Sequence, residues 1–134
     1  MSEELGFPDN CPPGDAQSAD GVFYRLAARN LSVGDHPTSQ DWQLPVHKRK
    51  GACAGDFDQC VCWSHSLFSD MKDLLDAAKT SDWVRKKSIA RIELTPGMGL
   101  VDKTPSDIGD SHHDWWPSSK FGLESCVVVK ESNG

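Results

Sequence analysis

One stretch of this chain has a clear helical pattern, and that limits the folds open to it. Apolar side chains recur there at the i, i+3, i+4, i+7 spacing that lines one side of an α-helix: Met71, Leu74, Leu75 and Ala78. Ser69 is a suitable N-cap residue, so the pattern predicts a helix over about 69–79. A chain with one main helix must build most of its core from strands.

Short β-prone stretches, separated by turn residues, account for the remaining regular structure. They predict about five strands, at 22–28, 59–64, 87–94, 99–102 and 126–129. Strands and helices do not alternate along the chain, as they would in a parallel α/β fold. The sequence therefore predicts an α+β domain with a mostly antiparallel sheet of about five strands and one main helix.

The length of the chain fits one small domain. Its 134 residues, 37% of them hydrophobic, are enough for a single compact core. Residues 1–20 are rich in Pro, Asp and Glu and predict an irregular N-terminal arm, which leaves 21–134 as the domain. The polar stretch 29–57 shows no periodicity and predicts a long functional loop, with room for a short helix at 39–44.

Charge and targeting signals bear on partners and location. A net charge of −6 lacks the positive field of a general nucleic-acid binder, so nucleic acid is not an expected partner. The two basic clusters, 47–50 and 85–87, are interpreted as solvated loops or, if the fold joins them, as a phosphate-binding patch. The sequence shows no signal peptide and no membrane span, and its odd count of five cysteines favours reduced thiols. These features predict a cytoplasmic protein without a membrane partner.

Four side chains of the types that bind zinc lie close together in the sequence. They are Cys53, Cys60, Cys62 and His65. Zinc sites usually leave two residues between paired cysteines, whereas Cys60 and Cys62 leave one. A zinc-binding domain using Cys60, Cys62 and His65, and a core strand with buried free cysteines, both stay open.

Two other features point to a binding site. Arg25 lies in the middle of the first strand, on the same face as Phe23 and Ala27, where a charged side chain needs a partner or a ligand. Residues 112–117 read His-His-Asp-Trp-Trp-Pro and are interpreted as a loop. Their imidazole, carboxylate and indole groups suit a nucleotide or peptide pocket, although a hydrophobic anchor that holds the loop to the core is the alternative.

The order of these parts is informative. An arginine-bearing strand at 24–25 is followed by two serines at a strand end, 64–66, and then by a strand with a basic start and a Pro-Gly turn, 85–99. Over about residues 21–117 this order resembles the ADP-ribosyltransferase fold family of the arginine–serine–glutamate type. That family has an Arg on its first core strand, a Ser-Thr-Ser motif, and a basic-start strand that ends in a Pro-Gly turn. His65 stands here in place of the motif's Thr.

The resemblance implies NAD as a ligand and assigns roles to individual residues. Arg25 would hold the phosphates or the nicotinamide ribose, and Ser64 would orient the nicotinamide end. The family also needs a Glu near its serine motif, where this sequence offers His113 and Asp114 as the candidate catalytic residues. The candidate cofactor-binding residues are Tyr24, Arg25, Ser64, Ser66, His112 and Trp115.

Two classes of function are carried forward. The first is a domain that binds NAD or a related nucleotide and, if active, transfers ADP-ribose to an acceptor or hydrolyses NAD. Because the family's Glu is missing, a degenerate, non-catalytic form of the same domain stays open. The second class is a non-enzymatic protein-interaction module, with a binding face built from the Trp115–Trp116 loop and the 29–57 loop.

Overall fold

The computed structural model describes residues 14–28, 31–37, 64–106, 108–118 and 126–131. Within these residues the chain forms seven strands and two short helices. The strands are β1 (Gln17–Ser18), β2 (Gly21–Ala27), β3 (His65–Phe68), β4 (Ser88–Leu94), β5 (Gly99–Lys103), β6 (His112–Pro117) and β7 (Cys126–Lys130), and the helices are α1 (Met71–Ala78) and α2 (Asp82–Arg85). The predicted α+β class with an antiparallel sheet is confirmed, whereas the predicted count of about five strands is wrong.

The seven strands form one antiparallel sheet in the order β1-β5-β6-β3-β2-β4-β7. β2 pairs with β4 along its whole length. In contrast, the described ladder between β2 and β3 has a single position, where Tyr24 lies opposite Phe68. The two halves of the sheet therefore meet at a short ladder.

Apolar side chains are buried on both faces of the sheet because side chains alternate along each strand. On one face, here called the helix face, Leu74 of α1 packs against Phe68 and Ile89. The opposite face, here called the far face, carries the larger cluster: Ala19, Phe23, Ala27, Leu67, Ala90, Ile92, Leu94, Val101, Trp115, Cys126 and Val128. The alternation along β2 places Arg25 on the far face, as predicted.

Helix α1 has the predicted apolar stripe, with Leu74 fully buried at its centre. Its N-cap is Asp70 rather than the predicted Ser69, and the Asp70 carboxylate accepts a hydrogen bond from the backbone N–H of Lys72 at 2.9 Å. A carboxylate there interacts favourably with the positive end of the helix. The backbone N–H of Ser69 instead donates to the carbonyl oxygen of Ser111, just before β6.

Helix α2 was not predicted, because one turn is too short to show periodicity. Ser81 is its N-cap: the Ser81 Oγ accepts a hydrogen bond from the backbone N–H of Val84 at 3.3 Å. Val84 is buried, whereas its neighbour Trp83 is exposed. Among the described residues, no helix is long and apolar enough to cross a membrane.

Residues 112–117 form a strand inside the sheet, so the prediction of a loop is wrong. β6 pairs with β5 on one side and with β3 on the other. Trp115 and Trp116 are 0% and 1% exposed. These residues show no strand pattern in the sequence, because a strand covered on both faces need not alternate between polar and apolar residues.

The N-terminal arm is regular in part, contrary to the prediction. Gln17 and Ser18 pair with β5, so β1 extends the sheet at that edge. Pairing with an existing strand edge satisfies the backbone groups of two residues whose side chains carry no strand pattern. Ala19, which follows β1, is buried in the far-face cluster.

Part of the predicted 29–57 loop lies along the other edge of the sheet. The backbone N–H of Gly34 donates to the carbonyl oxygen of Val128 at 2.9 Å, and the N–H of Val128 donates to the carbonyl oxygen of Asp35 at 2.8 Å. Residues 31–37 thus cover the outer edge of β7. The rest of that loop, the helix at 39–44, the strand at 59–64 apart from Ser64, and Cys53, Cys60 and Cys62 lie outside the described residues.

Candidate functional site

The three segments that the sequence singled out lie on neighbouring strands. Arg25 is on β2, the serines flank the start of β3, and residues 112–115 are on β6. These strands are consecutive in the sheet, in the order β6-β3-β2. Ser64 therefore comes within hydrogen-bond distance of the Asp114 side chain, 50 residues away in the sequence. Arg25 likewise reaches the backbone of Ser66, 41 residues away.

Arg25 lies where the ladder between β2 and β3 stops. If the ladder continued from Tyr24 opposite Phe68, Leu26 would lie opposite Ser66. The described pairing ends first, and Nη1 of Arg25 donates to the carbonyl oxygen of Ser66 at 3.2 Å. The half-buried guanidinium thereby links the two strands at the point where they separate. A guanidinium is a planar fork of N–H donors, the geometry that suits a phosphate.

A buried hydrogen bond joins the serine motif to β6 on the helix face. Ser64 Oγ donates to Asp114 Oδ1 at 3.2 Å, and both residues are buried. By register, Asp114 lies between Ser66 on β3 and Asp102 on β5. Asp114 is therefore a carboxylate beside the serine motif, the kind of residue that the resemblance requires there.

Burial raises the pKa of Asp114 above the ordinary value of 3.8, and repulsion from Asp102 acts in the same direction. The charge of His112 and hydrogen bonds from Thr104 and Ser64 lower the pKa of Asp114 and so partly offset this rise. Asp114 thus stays protonated to a higher pH than an exposed aspartate does. When it is ionised, its buried charge destabilises the folded state.

We expect the substitution Asp114→Asn to remove a pH-dependent component of stability. The raised pKa means that the folded protein binds this proton more tightly than the unfolded chain does. Wild-type stability should therefore rise as the pH falls through the raised pKa, and this gain should be complete below the ordinary value of 3.8. Asn has the same shape and no charge, so the variant should match or exceed the wild type at pH 8 and lose that advantage in acid.

Urea unfolding from pH 8 downward measures this difference. The substitution Asp102→Asn is the matched control, because it removes a weaker cause of the shift and leaves Asp114 buried. It should retain most of the wild-type pH dependence. Parallel stability curves for the wild type and Asp114→Asn at every pH would contradict the expected effect of burial.

His113 lies on the opposite face from Asp114. Its Nδ1 is 2.7 Å from the carbonyl oxygen of Ser111, and its ring centroid is 5.2 Å from that of Phe23 on the far face. A carbonyl oxygen can only accept, so the hydrogen in the first contact is on Nδ1. Of the two candidate catalytic residues, Asp114 is therefore beside Ser64 and His113 is not.

The sequence identified His112 as a site residue, but not the polar residues Asp102, Lys103 and Thr104 at the end of β5. On the helix face, Nδ1 of His112 donates to the carbonyl oxygen of Thr104 at 2.8 Å, and the His112 ring packs 5.1 Å from the Phe68 ring. Asp102 and Lys103 join the site because β5 pairs with β6 in this register. No sequence signal could have found them, since strand register is decided by packing across the sheet.

Trp115 is fully buried and holds β6 in the core. Its indole Nε1 donates to the carbonyl oxygen of Met98 at 3.0 Å. The ring of His65, itself 5% exposed, lies 5.7 Å from the Trp115 ring. Tyr24 is partly buried on the helix face, against the cluster of Phe68, Leu74 and Ile89. The aromatic residues around the site therefore contribute mainly by fixing the strands.

Metal binding is not visible in the part of the chain that the structure describes. There, no group of three or more His, Cys, Asp or Glu side chains is placed to hold a metal ion. A zinc site using Cys60, Cys62 and His65 stays a prediction, because the two cysteines lie outside the described residues. Elemental analysis of the purified protein tests it directly.

No protein-family model, curated protein or solved structure matches this chain. Its function must therefore be inferred from its own residues and from the resemblance that they carry.

Proposed function

We propose that this domain binds NAD or a related nucleotide at the junction of β2, β3 and β6. The observation that carries the proposal is the buried hydrogen bond of 3.2 Å from Ser64 to Asp114. The ADP-ribosyltransferase family needs a carboxylate beside its serine motif and an arginine on its first core strand. This chain has Asp114 beside Ser64, and it has Arg25 in contact with the backbone of Ser66.

The charge around Arg25 supports phosphate binding. Lys103 lies opposite His113, and His113 lies opposite Leu67. Arg25 is also on the far face, and its guanidinium contacts the carbonyl oxygen of Ser66, the residue before Leu67. Arg25, His113 and Lys103 thus form a basic row across the sheet, on a chain whose net charge is −6. A pyrophosphate group would interact favourably with such a row.

A nucleotide bound where the β2–β3 ladder stops would contact residues from both faces of the sheet. Arg25 would meet it from the far face, and Ser64 with Asp114 from the helix face. In an active enzyme, the bond between the nicotinamide nitrogen and C1′ of the ribose breaks, and nicotinamide leaves with the electron pair. The acceptor atom, or water in hydrolysis, forms the new bond to C1′ and releases a proton. Ionised Asp114 would stabilise the positive charge that develops on the ribose. Because its pKa is raised, turnover should increase with pH.

Isothermal titration calorimetry with NAD tests the proposal. The substitution Arg25→Ala should weaken binding by about tenfold or more, because hydrogen bonds to charged groups contribute roughly 1.5–3 kcal/mol. Arg25→Lys keeps the charge but loses the fork and should have an intermediate affinity. Arg91→Ala is the matched control: Arg91 lies on the adjacent strand, paired with Glu93 at 3.7 Å, and its loss should leave NAD binding unchanged.

Circular dichroism of each variant separates lost binding from lost folding. Chromatographic detection of released nicotinamide in the same samples distinguishes an active transferase or hydrolase from a non-catalytic binder. Absence of binding by the folded wild type at millimolar NAD would refute the proposal. A protein-binding face built on Trp115 and Trp116 is not supported, since both indoles are buried.

A further inference from the structure

Helix α2 places a tryptophan on the surface, away from the β2–β3–β6 junction. Trp83 is 58% exposed, although most tryptophans of folded proteins are largely buried. It borders an open hollow of about 450 Å³ between α1, α2 and Ile108. The hollow is lined by Asp76, Ala77, Thr80, Ser81, Trp83, Val84 and Ile108. Exposed tryptophans beside such hollows often dominate the energy of protein association.

Two lysines lie close to this tryptophan. Lys87 Nζ lies 5.6 Å from the centroid of the Trp83 ring, a cation–π distance, and Lys86 beside it is exposed. The nearby carboxylates are in contact with cations of their own helices, in the pairs Asp76–Lys79 and Asp82–Arg85. These four residues largely neutralise one another. Lys86 and Lys87 therefore make a locally positive spot on a chain whose net charge is −6.

We propose that the hollow beside Trp83, together with Lys86 and Lys87, is a docking surface for an acidic peptide segment of a partner protein. Acidic side chains would pair with the two lysines, which gives charge complementarity. An aliphatic side chain would enter the hollow against Ala77 and Val84. Because Lys87 lies over the indole ring, a nucleic-acid base has less access to that face for stacking, so a peptide fits better.

The test uses fluorescence anisotropy with a labelled peptide of glutamates around one central leucine. We expect this peptide to bind the full-length protein, and Trp83→Ala to weaken binding by about tenfold or more, as hot-spot residues do. The double substitution Lys86→Glu with Lys87→Glu should weaken it as strongly. Val33→Ala is the matched control, because Val33 is the other large apolar side chain exposed among the described residues, at 60%, and its loss should change nothing.

Two further probes decide between occupants. A peptide with lysines in place of the glutamates, and one with serine in place of the leucine, should both bind more weakly than the original. Equal binding of the lysine peptide, no binding of the acidic peptide at millimolar concentration, or an unchanged affinity of Trp83→Ala would overturn the proposal. So would tighter binding of an oligonucleotide, or self-association in sedimentation that Trp83→Ala abolishes. NAD binding is measured separately, so these results are independent of it.

Discussion

Replacing Trp115 with alanine is expected to lower the free energy of unfolding by about 3–5 kcal/mol, the usual cost of emptying a large aromatic site in a core. Trp115 is 0% exposed and belongs to the far-face cluster. The substitution also removes the hydrogen bond from its indole to the carbonyl oxygen of Met98. Because small domains are stable by only about 5–15 kcal/mol, this loss is a large share of the total stability.

Urea unfolding followed by circular dichroism measures this loss. The control is Trp83→Ala, which removes an identical side chain from a position that is 58% exposed. It should change the free energy of unfolding by no more than roughly 0.5 kcal/mol. Similar losses in the two variants would mean that β6 is not a central, buried strand. The pair therefore tests the main difference between the observed fold and the fold predicted from the sequence.

Replacing Gly99 with alanine is expected to be comparably damaging, for a different reason. Gly99 begins β5 with a φ of +120°, a conformation that residues with a Cβ rarely adopt. A Cβ there would fall on the carbonyl oxygen of Trp116 and lie 2.9 Å from the Cα of Pro117. Backbone strain and overpacking each cost roughly 1–3 kcal/mol, and both apply at this position. Since the clash is with backbone atoms, β5 and β6 must separate to relieve it.

The substitution Gly21→Ala separates these two causes. Gly21 begins β2 with a φ of +123°, but a Cβ there would meet nothing within 4 Å. The Gly21→Ala variant should therefore be destabilised by backbone strain alone. Urea unfolding should show a clearly smaller loss of unfolding free energy than for Gly99→Ala. Equal losses would indicate that the close approach of β5 to β6 at Gly99 does not contribute.

Local sequence pattern predicted those elements whose residues carry their own signal. The stripe that includes Leu74 indicated α1, and β-prone runs indicated β2, β4, β5 and β7 close to their observed bounds. The prediction missed β1, α2 and β6, and it placed the second strand at 59–64, whereas β3 covers His65–Phe68. Two residues and one helical turn are too short to show a period, and β6 has polar and apolar residues buried together. Such elements form because neighbouring strands and helices offer partners for their backbone and side chains.

The candidate site could be predicted only in part. The resemblance named Arg25, Ser64, Ser66 and Asp114, and these residues lie on adjacent strands. It also named His113, which faces away from Asp114, on the far face that carries Phe23 and Arg25. Asp114 lies beside Ser64 and His113 does not because residues 112–117 form a strand. Neighbours on a strand point to opposite faces, whereas neighbours in a loop need not.

Local pattern in the sequence was enough to predict the α+β class, the position of the main helix and the face of β2 on which Arg25 lies. These properties follow from periodicity within single segments. Three other properties belong to the folded chain: β6 lies beside β3, Asp114 is buried against Ser64, and Arg25 contacts Ser66 where the β2–β3 ladder stops. Strand order and register depend on packing between segments far apart in the chain, and no local pattern carries that information.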